Sequence, residues 1–330
     1  MPKFSVIIPV FNRPDEMKEM LDSLLFQSQK DFEVIIIEDG STHKSDGLVS
    51  NYDLNIKYFF KENTGPGDSR NFGMKQASGD YFLFFDSDCV LPENYFENLN
   101  QGLEFLNPDA FGGPDAAHES FSTVQKAINY SMTSFFTTGG IRGGKKQLDN
   151  YQPRSFNMGL SRAVYEKVGG FSDIHPGEDP DLSFRIMDAG FKVSLIAEAK
   201  VFHKRRINLK LFAMQVYKFG VVRVVLNKWH PKRNKFVYAF PTLFLLGTLA
   251  FFVAGITLSG MFLLPLSVFA VMILFEALIS TRSLLVSILA IPAAFIQLLG
   301  YGYGFLTSWF KLSLLGGDER KVFPRFFFDK

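Results

Sequence analysis

The feature that most constrains the fold of this chain is a set of three long apolar runs in its last third. Phe236–Leu258 and Leu284–Leu306 each hold 23 residues without a charge, and Met261–Ile279 holds 19 residues with one charge, Glu276. A helix needs about 20 apolar residues to cross the hydrocarbon core of a bilayer. Three such runs so close together are poorly explained as buried core helices, so we predict two to three transmembrane helices over residues 236–310.

The charges of the chain are unevenly distributed. Residues 1–199 hold 18 Lys and Arg against 29 Asp and Glu, whereas residues 200–235 hold 11 Lys and Arg and no acidic residue. Basic residues next to an apolar run are typical of a cytoplasmic membrane surface, which disfavours nucleic acid as the partner. We predict a cytoplasmic domain over 1–205, a basic amphipathic segment at the membrane surface over 206–235 and a basic tail over 311–330, in a multi-pass protein of the inner membrane.

The number of membrane crossings stays open. Three crossings would place the tail outside, yet Lys311–Lys330 carries five Lys and Arg, which favours the inside. The last apolar run contains Pro292 and is a candidate for a re-entrant or interfacial segment. We also predict that Ile207–Leu226 lies on the membrane surface with its apolar side chains in lipid; the plainer interpretation is an amphipathic helix packed on the preceding domain. The single cysteine, Cys89, fits a reducing compartment, and no secretory signal is visible before the first strand.

The first 200 residues alternate short apolar runs with segments of helical spacing. This pattern predicts an α/β domain with a mostly parallel sheet. We predict strands at Phe4–Pro9, Phe32–Ile37, Ile56–Phe60 and Tyr81–Phe85, and helices at Pro14–Gln27 and Pro66–Ala77. Because ligands of such sheets bind beyond the carboxyl ends of the strands, the residues that follow each strand are the candidate site.

Polar clusters follow three of these strands: Pro9–Asn12, Glu38–Ser41 and Asp86–Asp88. A carboxylate at this position can accept hydrogen bonds from a nucleobase or a ribose, and an aromatic ring such as that of Phe11 can stack on the base. Two carboxylates at a bend can divide their work between a ribose and a Mg²⁺ or Mn²⁺ ion, which prefers oxygen ligands. A solvated turn is the plainer interpretation of Asp86–Asp88.

A second acidic cluster, Gly177–Arg185, contains Asp179 followed by Pro180. Proline suits the first helical position, which predicts Asp179 as the helix N-cap. A carboxylate fixed at a helix start could also act as a general base toward an acceptor hydroxyl. His203 follows a short strand-like segment, Lys200–Phe202, and is either structural or a metal ligand.

Taken in order, these segments resemble family 2 glycosyltransferases of the GT-A fold. The matching segments are SVIIPVFNRP at 5–14, EDGS at 38–41, NTGPGDSRNFG at 63–73, GDYFLFFDSD at 79–88, FNMGLSR at 156–162, GGF at 169–171, GEDPDLSFR at 177–185 and AKVFH at 199–203. The resemblance covers about 200 residues. It implies a GT-A catalytic domain followed by an α-helical transmembrane region, as in membrane-anchored bacterial members.

The resemblance also implies roles for individual residues. Pro9, Phe11 and Asp39 resemble the residues of the nucleobase pocket, Arg70 and Asp86 resemble the diphosphate and ribose contacts, and Asn157 resembles a further substrate-binding position. Asp88 and His203 resemble the ligands of Mg²⁺ or Mn²⁺. Asp179 resembles the catalytic base, and Glu178 lies beside it on the acceptor side. Glu38 stands where the family usually has an aspartate, and we expect little change from it.

The implied function is an inverting transfer from a nucleotide-diphosphate sugar, first of all a UDP-sugar, to a lipid-linked or polysaccharide acceptor. The Gln-x-x-Arg-Trp motif of processive synthases is missing, because Val216-Tyr217-Lys218-Phe219 follows Gln215, so one sugar per acceptor is expected. Residues 109–160 should face the acceptor. The alternatives are a nucleotidyltransferase-like enzyme and a non-catalytic membrane partner of a polysaccharide export system.

Overall fold

The computed structural model describes residues 3–116, 121–139, 151–204 and 208–328. The chain forms two compact units. The first unit comprises Met1–His118, Asp149–Lys204 and Arg325–Lys330, and the second comprises Glu119–Leu148 and Arg205–Pro324. Nearly all of the Gly-rich basic stretch Gly139–Lys146, which faces the acceptor in our prediction, lies outside the described residues, as does the start of the predicted basic segment at 206–207.

The first unit contains all the described strands. These are β1 (Phe4–Val10), β2 (Phe32–Asp39), β3 (Ile56–Lys61), β4 (Tyr81–Phe84), β5 (Cys89–Val90), β6 (Ala110–Gly112), β7 (Asp115–Ala116), β8 (Met158–Ser161), β9 (Val193–Leu195) and β10 (Val201–His203). Its helices are α1 (Pro14–Leu25), α2 (Asp46–Val49), α3 (Pro66–Gln76), α4 (Tyr95–Leu106), α7 (Arg162–Val168) and α8 (Glu178–Asp188), and α5 and α6 belong to the second unit. Each strand and helix predicted over the first 90 residues is present, with ends shifted by no more than two residues.

Among the described residues, seven strands form the main sheet in the order β3-β2-β1-β4-β8-β6-β9. Strand β1 lies parallel to both β2 and β4, and β2 lies parallel to β3. Strand β8 runs antiparallel to β4 and to β6. The prediction of a mixed, mostly parallel α/β sheet is confirmed.

The apolar runs of the strands are buried on both faces of this sheet, as a parallel sheet covered by helices requires. Val6 and Ile8 of β1 contact side chains of α1 and α4 on one face, whereas Ile7 packs with side chains of α3, α7 and α8 on the other. The helices on both faces leave the strand ends as the open edge, so the polar residues after β1, β2 and β4 meet there.

The second unit is helical. Its helices are α5 (Thr123–Thr133), α6 (Phe135–Thr138), α9 (Leu209–Trp229), α10 (Phe240–Thr257), α11 (Leu264–Thr281), α12 (Leu284–Trp309) and α13 (Glu319–Val322), with short 3₁₀ turns before α10 and α11 and a π turn after α12. Three helical stretches, Phe236–Thr257, Gly260–Thr281 and Leu284–Leu314, are long and apolar enough to cross a membrane. The three apolar runs are therefore confirmed as helices.

Helix α9 corresponds to the segment predicted on the membrane surface, and it packs closely on α12. A Cβ atom on Gly304 of α12 would lie 2.2 Å from the carbonyl oxygen of Tyr217, so only glycine allows this approach. Phe212 and Val216 of α9 are buried together with side chains of α5 and with Ala293 of α12. These two side chains therefore pack on protein, whereas Leu211 is exposed, and the position of Ile207–Leu226 on a membrane surface stays a prediction.

The one charge in the apolar runs, Glu276, is hydrogen-bonded within the second unit. Its carboxylate accepts hydrogen bonds from the Tyr130 hydroxyl of α5 and from the Ser134 hydroxyl, the latter at 2.7 Å. A charge inside an apolar span is costly unless it is paired or hydrogen-bonded. Part of the 109–160 region is therefore tied to helix α11.

Candidate active site

Asp39 ends β2 at the open edge of the main sheet. The backbone N–H groups of Thr64 and Gly65 donate to its two carboxylate oxygens at 3.1 and 3.0 Å, and the Lys61 ammonium pairs with it. The carboxylate is buried and fixes the loop that leads into α3. Phe11, also at this edge, is half exposed, as a ring that stacks on a base must be before the ligand binds.

Arg70 joins the residues after β4 to the start of α8. This arginine lies on α3 and is buried, with one guanidinium nitrogen 2.6 Å from Asp86 Oδ1 and another 3.0 Å from Glu178 Oε1. A planar guanidinium can hold two carboxylates at once in fixed geometry. Asp86 and Glu178, which are 92 positions apart in the sequence, are thereby brought to one place.

Glu178 is buried and also contacts His175. The His175 Nδ1 atom lies 3.1 Å from Glu178 Oε2. Burial alone would raise the pKa of the Glu178 carboxyl, but His175 and Arg70 outweigh it and lower that pKa to about 2. The contacts with Arg70 and His175 thus favour the ionised form of Glu178, and its acceptor-side role stays a prediction.

Asp179 lies beside this chain with a different electrostatic environment. Its Oδ2 atom is 3.8 Å from the Arg154 guanidinium and accepts a long hydrogen bond, 3.4 Å, from the Ser155 N–H. Burial and the neighbouring Glu178 charge raise the pKa of the Asp179 carboxyl above its ordinary value, although Arg154 opposes the shift. A carboxylate with a raised pKa is a better proton acceptor, which suits a general base.

The predicted N-cap at Asp179 is wrong. Helix α8 begins at Glu178, and Gly177 precedes it without any side-chain cap. Pro180 therefore occupies the first turn rather than its first position, which is tolerated because the first N–H groups of a helix have no partner within it. Asp179 is free of a capping hydrogen bond, and its carboxylate is left to the site.

Asp88 and His203 meet because the small sheet β5-β10-β7 pairs them. Its antiparallel register places His203 opposite Cys89, directly after Asp88. The His203 Nε2 atom lies 3.2 Å from Asp88 Oδ1 and 3.9 Å from Asp86 Oδ2, and the imidazole stacks on Phe156. The two predicted metal ligands are thus neighbours, and their roles remain a prediction.

The donor atoms at Asp88 fit a divalent cation. Within the described residues, the buried Asp88 Oδ1 atom makes no hydrogen bond of good geometry and lies 3.2 Å from the His203 Nε2 atom, while the other oxygen pairs with Arg13. Burial would raise the pKa of the Asp88 carboxyl, but His203 and Arg13 hold it below its ordinary range. The Cys89 sulfur lies in the same cluster, yet burial raises the pKa of its thiol well above the ordinary value, so it is a poor ligand for a hard cation.

Of two further predicted substrate-binding residues, Pro9 lies at the open edge of the sheet, whereas Asn157 hydrogen-bonds within the protein. Pro9 belongs to β1 and lies at its carboxyl end, as predicted. Asn157 is buried, and its amide accepts from the Tyr95 hydroxyl and donates to the Ala199 carbonyl, both at 2.7 Å. Asn157 thus connects three segments of the first unit, and its substrate-binding role stays a prediction.

Sequence reasoning missed Arg13, Lys61 and His175 as partners of the acidic residues. Arg13 follows β1 and Lys61 is the last residue of β3, at the same edge as their carboxylate partners, so their position was a usable signal. His175 precedes Glu178 by three residues, and only the folded loop shows that its ring turns toward the carboxylate.

Comparisons with known proteins agree with this geometry. The model of the family described as glycosyl transferase family 2 matches residues 5–169. A glycosyltransferase of Rickettsia typhi is 39% identical over 228 residues, which is 66% of this chain and 69% of that protein. The glycosyltransferase GlyA of Streptococcus pneumoniae is 36% identical over 236 residues, 69% of this chain and 32% of that protein.

The matches cover the relatives unequally. For three other rickettsial glycosyltransferases the alignment spans 20–23% of the relative's length. A GalNAc(5)-diNAcBac-PP-undecaprenol beta-1,3-glucosyltransferase of Campylobacter jejuni is 38% identical over 106 residues, 31% of this chain and 34% of that protein.

A solved structure extends the likeness to the fold. A mannosyltransferase of Pyrobaculum calidifontis, determined in complex with GDP-Man and Mn²⁺, has a TM-score of 0.64 at 15% identity over 88% of this chain and 86% of its own. The predicted GT-A fold, followed by long apolar helices, is confirmed. The family model matches half of this chain, which shows that the chain belongs to glycosyl transferase family 2.

Proposed function

We propose that this chain transfers a sugar from a nucleotide-diphosphate sugar, first of all a UDP-sugar, to a hydroxyl group of a lipid-linked or glycan acceptor, with inversion at the anomeric carbon. The observation that carries the proposal is the Asp179 carboxylate. Its side chain is partly buried, its pKa is raised by burial and by the Glu178 charge, and it directly follows Glu178, which Arg70 joins to Asp86. A base beside a donor-binding carboxylate is what a direct displacement requires.

In this reaction Asp179 takes the proton of the acceptor hydroxyl. The acceptor oxygen then bonds to the anomeric carbon as the bond from that carbon to the diphosphate oxygen breaks, and the diphosphate leaves with the electron pair. Arg70 contacts Asp86 and Glu178 and would keep both in place, and its predicted contact with the diphosphate stays part of the proposal because its Nε atom has no hydrogen-bond partner among the described residues. A Mg²⁺ or Mn²⁺ ion held by Asp88 and His203 would offset the charge of the leaving diphosphate.

Membrane attachment is the second part of the proposal. The three apolar helices would anchor the chain as a multi-pass protein of the inner membrane, with the first unit on the cytoplasmic side because the basic residues of 200–235 precede the first apolar helix. A lipid-linked acceptor fits this attachment, and the similarity to the undecaprenol-linked glucosyltransferase of Campylobacter jejuni supports it.

The test is a donor screen with the purified full chain in detergent. UDP-, GDP- and dTDP-sugars are supplied with Mg²⁺ or Mn²⁺ and a polyprenyl-diphosphate glycan acceptor, and the anomeric configuration of the product is read by NMR. We expect transfer from one nucleotide class with inversion. A product of retained configuration would contradict the role of Asp179. Formation of a nucleotide sugar and pyrophosphate from a nucleoside triphosphate and a sugar phosphate would instead indicate the nucleotidyltransferase.

A further inference from the structure

The segment that follows the apolar helices, Arg325–Phe328, belongs to the first unit, and we call it the return segment. It lies antiparallel to the loop before α8. The Phe328 N–H donates to the Asp173 carbonyl at 3.0 Å, and the His175 N–H donates to the Phe326 carbonyl at 2.7 Å. A single isolated β-bridge joins Ile174 to Phe327, the residue between them, so three consecutive residues after a 3₁₀ turn hold the return segment to this loop.

On one side the ring of Phe328 lies against the loop that binds Asp39. A Cβ atom built on Gly65 would be 2.5 Å from a ring carbon of Phe328, so the ring lies directly on the Gly65 backbone. Gly65 has a φ of +90°, and its N–H donates to Asp39. Movement of the ring would release the backbone group that fixes the predicted nucleobase carboxylate.

On the other side Phe328 lies near the ion-pair chain. The centroids of the His175 and Phe328 rings are 6.4 Å apart, and the His175 imidazole contacts Glu178, which in turn contacts Arg70. The return segment also hydrogen-bonds the backbone of His175 itself. One aromatic side chain therefore lies between the two loops that frame the candidate active site.

We infer that Phe328 is a positioning residue for donor binding, which holds the loop Asn63–Gly65 and the loop Asp173–Gly177 at a fixed spacing. This inference rests on the proposed function. Phe328 contacts no reacting atom in this role. It acts through Asp39 on one side and through Glu178 on the other, so its loss should weaken donor binding more than it slows the chemical step.

The experiment compares Phe328→Ala, Phe328→Leu and Phe105→Ala in the full chain. Phe105 on α4 is 88% exposed in the same unit and serves as the matched control. Donor KM and kcat are measured, together with the affinity for UDP, GDP and dTDP in Mg²⁺ and the thermal unfolding temperature. We expect Phe328→Ala to raise donor KM roughly tenfold, within the 100-fold that a misplacement of about 1 Å can cost, with kcat less affected. Phe328→Leu should restore part of the affinity, and Phe105→Ala should match the wild type.

Wild-type nucleotide affinity and donor KM in Phe328→Ala would overturn the positioning role while leaving the proposed function intact. A lowered unfolding temperature with unchanged KM would show that the segment is only structural, and would overturn the role as well. Failure of the wild-type chain to bind any of the three nucleotides would overturn both proposals, and the binding measurement separates this outcome because it needs no acceptor.

Discussion

Near the amino end of β2, both oxygens of the Glu33 carboxylate have hydrogen-bond or ion-pair partners. In the turn after β4, the hydrogen bonds of the Asp88 carboxylate are incomplete. Glu33 accepts from the Ser5 hydroxyl and from the backbone and hydroxyl of Ser78, and its second oxygen pairs with Lys57. In the described structure one oxygen of Asp88 makes no hydrogen bond of good geometry and only faces His203 Nε2 at 3.2 Å. Both acids are buried, Glu33 within the main sheet and Asp88 in the turn after β4, and they differ in how fully their hydrogen-bonding capacity is used within the protein.

Unused capacity in a buried group is costly, so it persists where a ligand satisfies it. At the amino end of the sheet the ionised acid stabilises the fold and is not available for binding. At the carboxyl end Asp88, with one oxygen that makes no hydrogen bond of good geometry, and Asp179, with its long hydrogen bond, are the acids that the proposal assigns to a metal and to a proton. The comparison predicts that substitutions at the two ends have opposite consequences for activity and stability.

The largest effect is expected for Asp88→Asn. The amide keeps the shape of the side chain but is a weak ligand for Mg²⁺ or Mn²⁺, so transfer and metal-dependent donor binding should be lost. The folded domain should survive the substitution with some loss of stability, because the ion pairs with Arg13 and His203 are removed. Activity is measured across a metal titration and after treatment with EDTA. Full activity of the wild-type chain in EDTA would contradict a metal requirement.

A smaller loss is expected for Asp179→Asn. Loss of a general base costs about 10²–10⁴-fold in rate, while donor binding should be kept. The base works in its deprotonated form, so activity falls as the pH drops through its pKa, which here lies above the ordinary value. The wild-type rate should therefore decline at a higher pH than an ordinary aspartate would give. The Asp179→Asn variant should lack that decline, and a rate within a factor of about two of the wild type would exclude the role.

The smallest effect on activity is expected for Glu33→Gln, which should instead affect stability. Burial would raise the pKa of Glu33, but Lys57, Ser5 and Ser78 lower it to about 2 from 4.5. A lowered pKa means that the stabilisation is complete above about pH 4.5 and is lost as the pH falls toward 2. We expect Glu33→Gln to lower the free energy of unfolding by about 2 kcal/mol at neutral pH. Denaturant unfolding at pH 7 and pH 3 tests this, because the difference from wild type should shrink at pH 3.

Local pattern was enough to predict the strands of the main sheet and the position of Asp39, Asp86 and Asp88 after them. An apolar run such as that of β1 is buried because of its own composition, and its end then places the next polar residue at the sheet edge. The contact of Arg70 with Glu178 spans 108 positions and leaves no local period. The helix start at Glu178 was missed because Pro180 is tolerated throughout the first turn.

The packing of α9 could not be decided from local sequence for a related reason. Its basic and apolar residues fit a membrane surface and a protein surface equally well, and Gly304, the residue that allows α9 and α12 to approach closely, is distant in the sequence. The run Phe326-Phe327-Phe328 was a visible signal, since aromatic residues after an apolar helix require a partner, but the sequence does not state which one.

A chain that leaves a folded unit on one side of a bilayer and rejoins that unit must cross the bilayer an even number of times. The first unit ends its main stretch at Lys204 and resumes at Arg325, with the three apolar helices between these points. Under the proposed anchoring, two full crossings are compatible with the fold and three are not. One helix must then enter and leave by the same face or lie along it. Of the three helical stretches, Leu284–Leu314 is the one most covered by protein, and the other two are far more exposed.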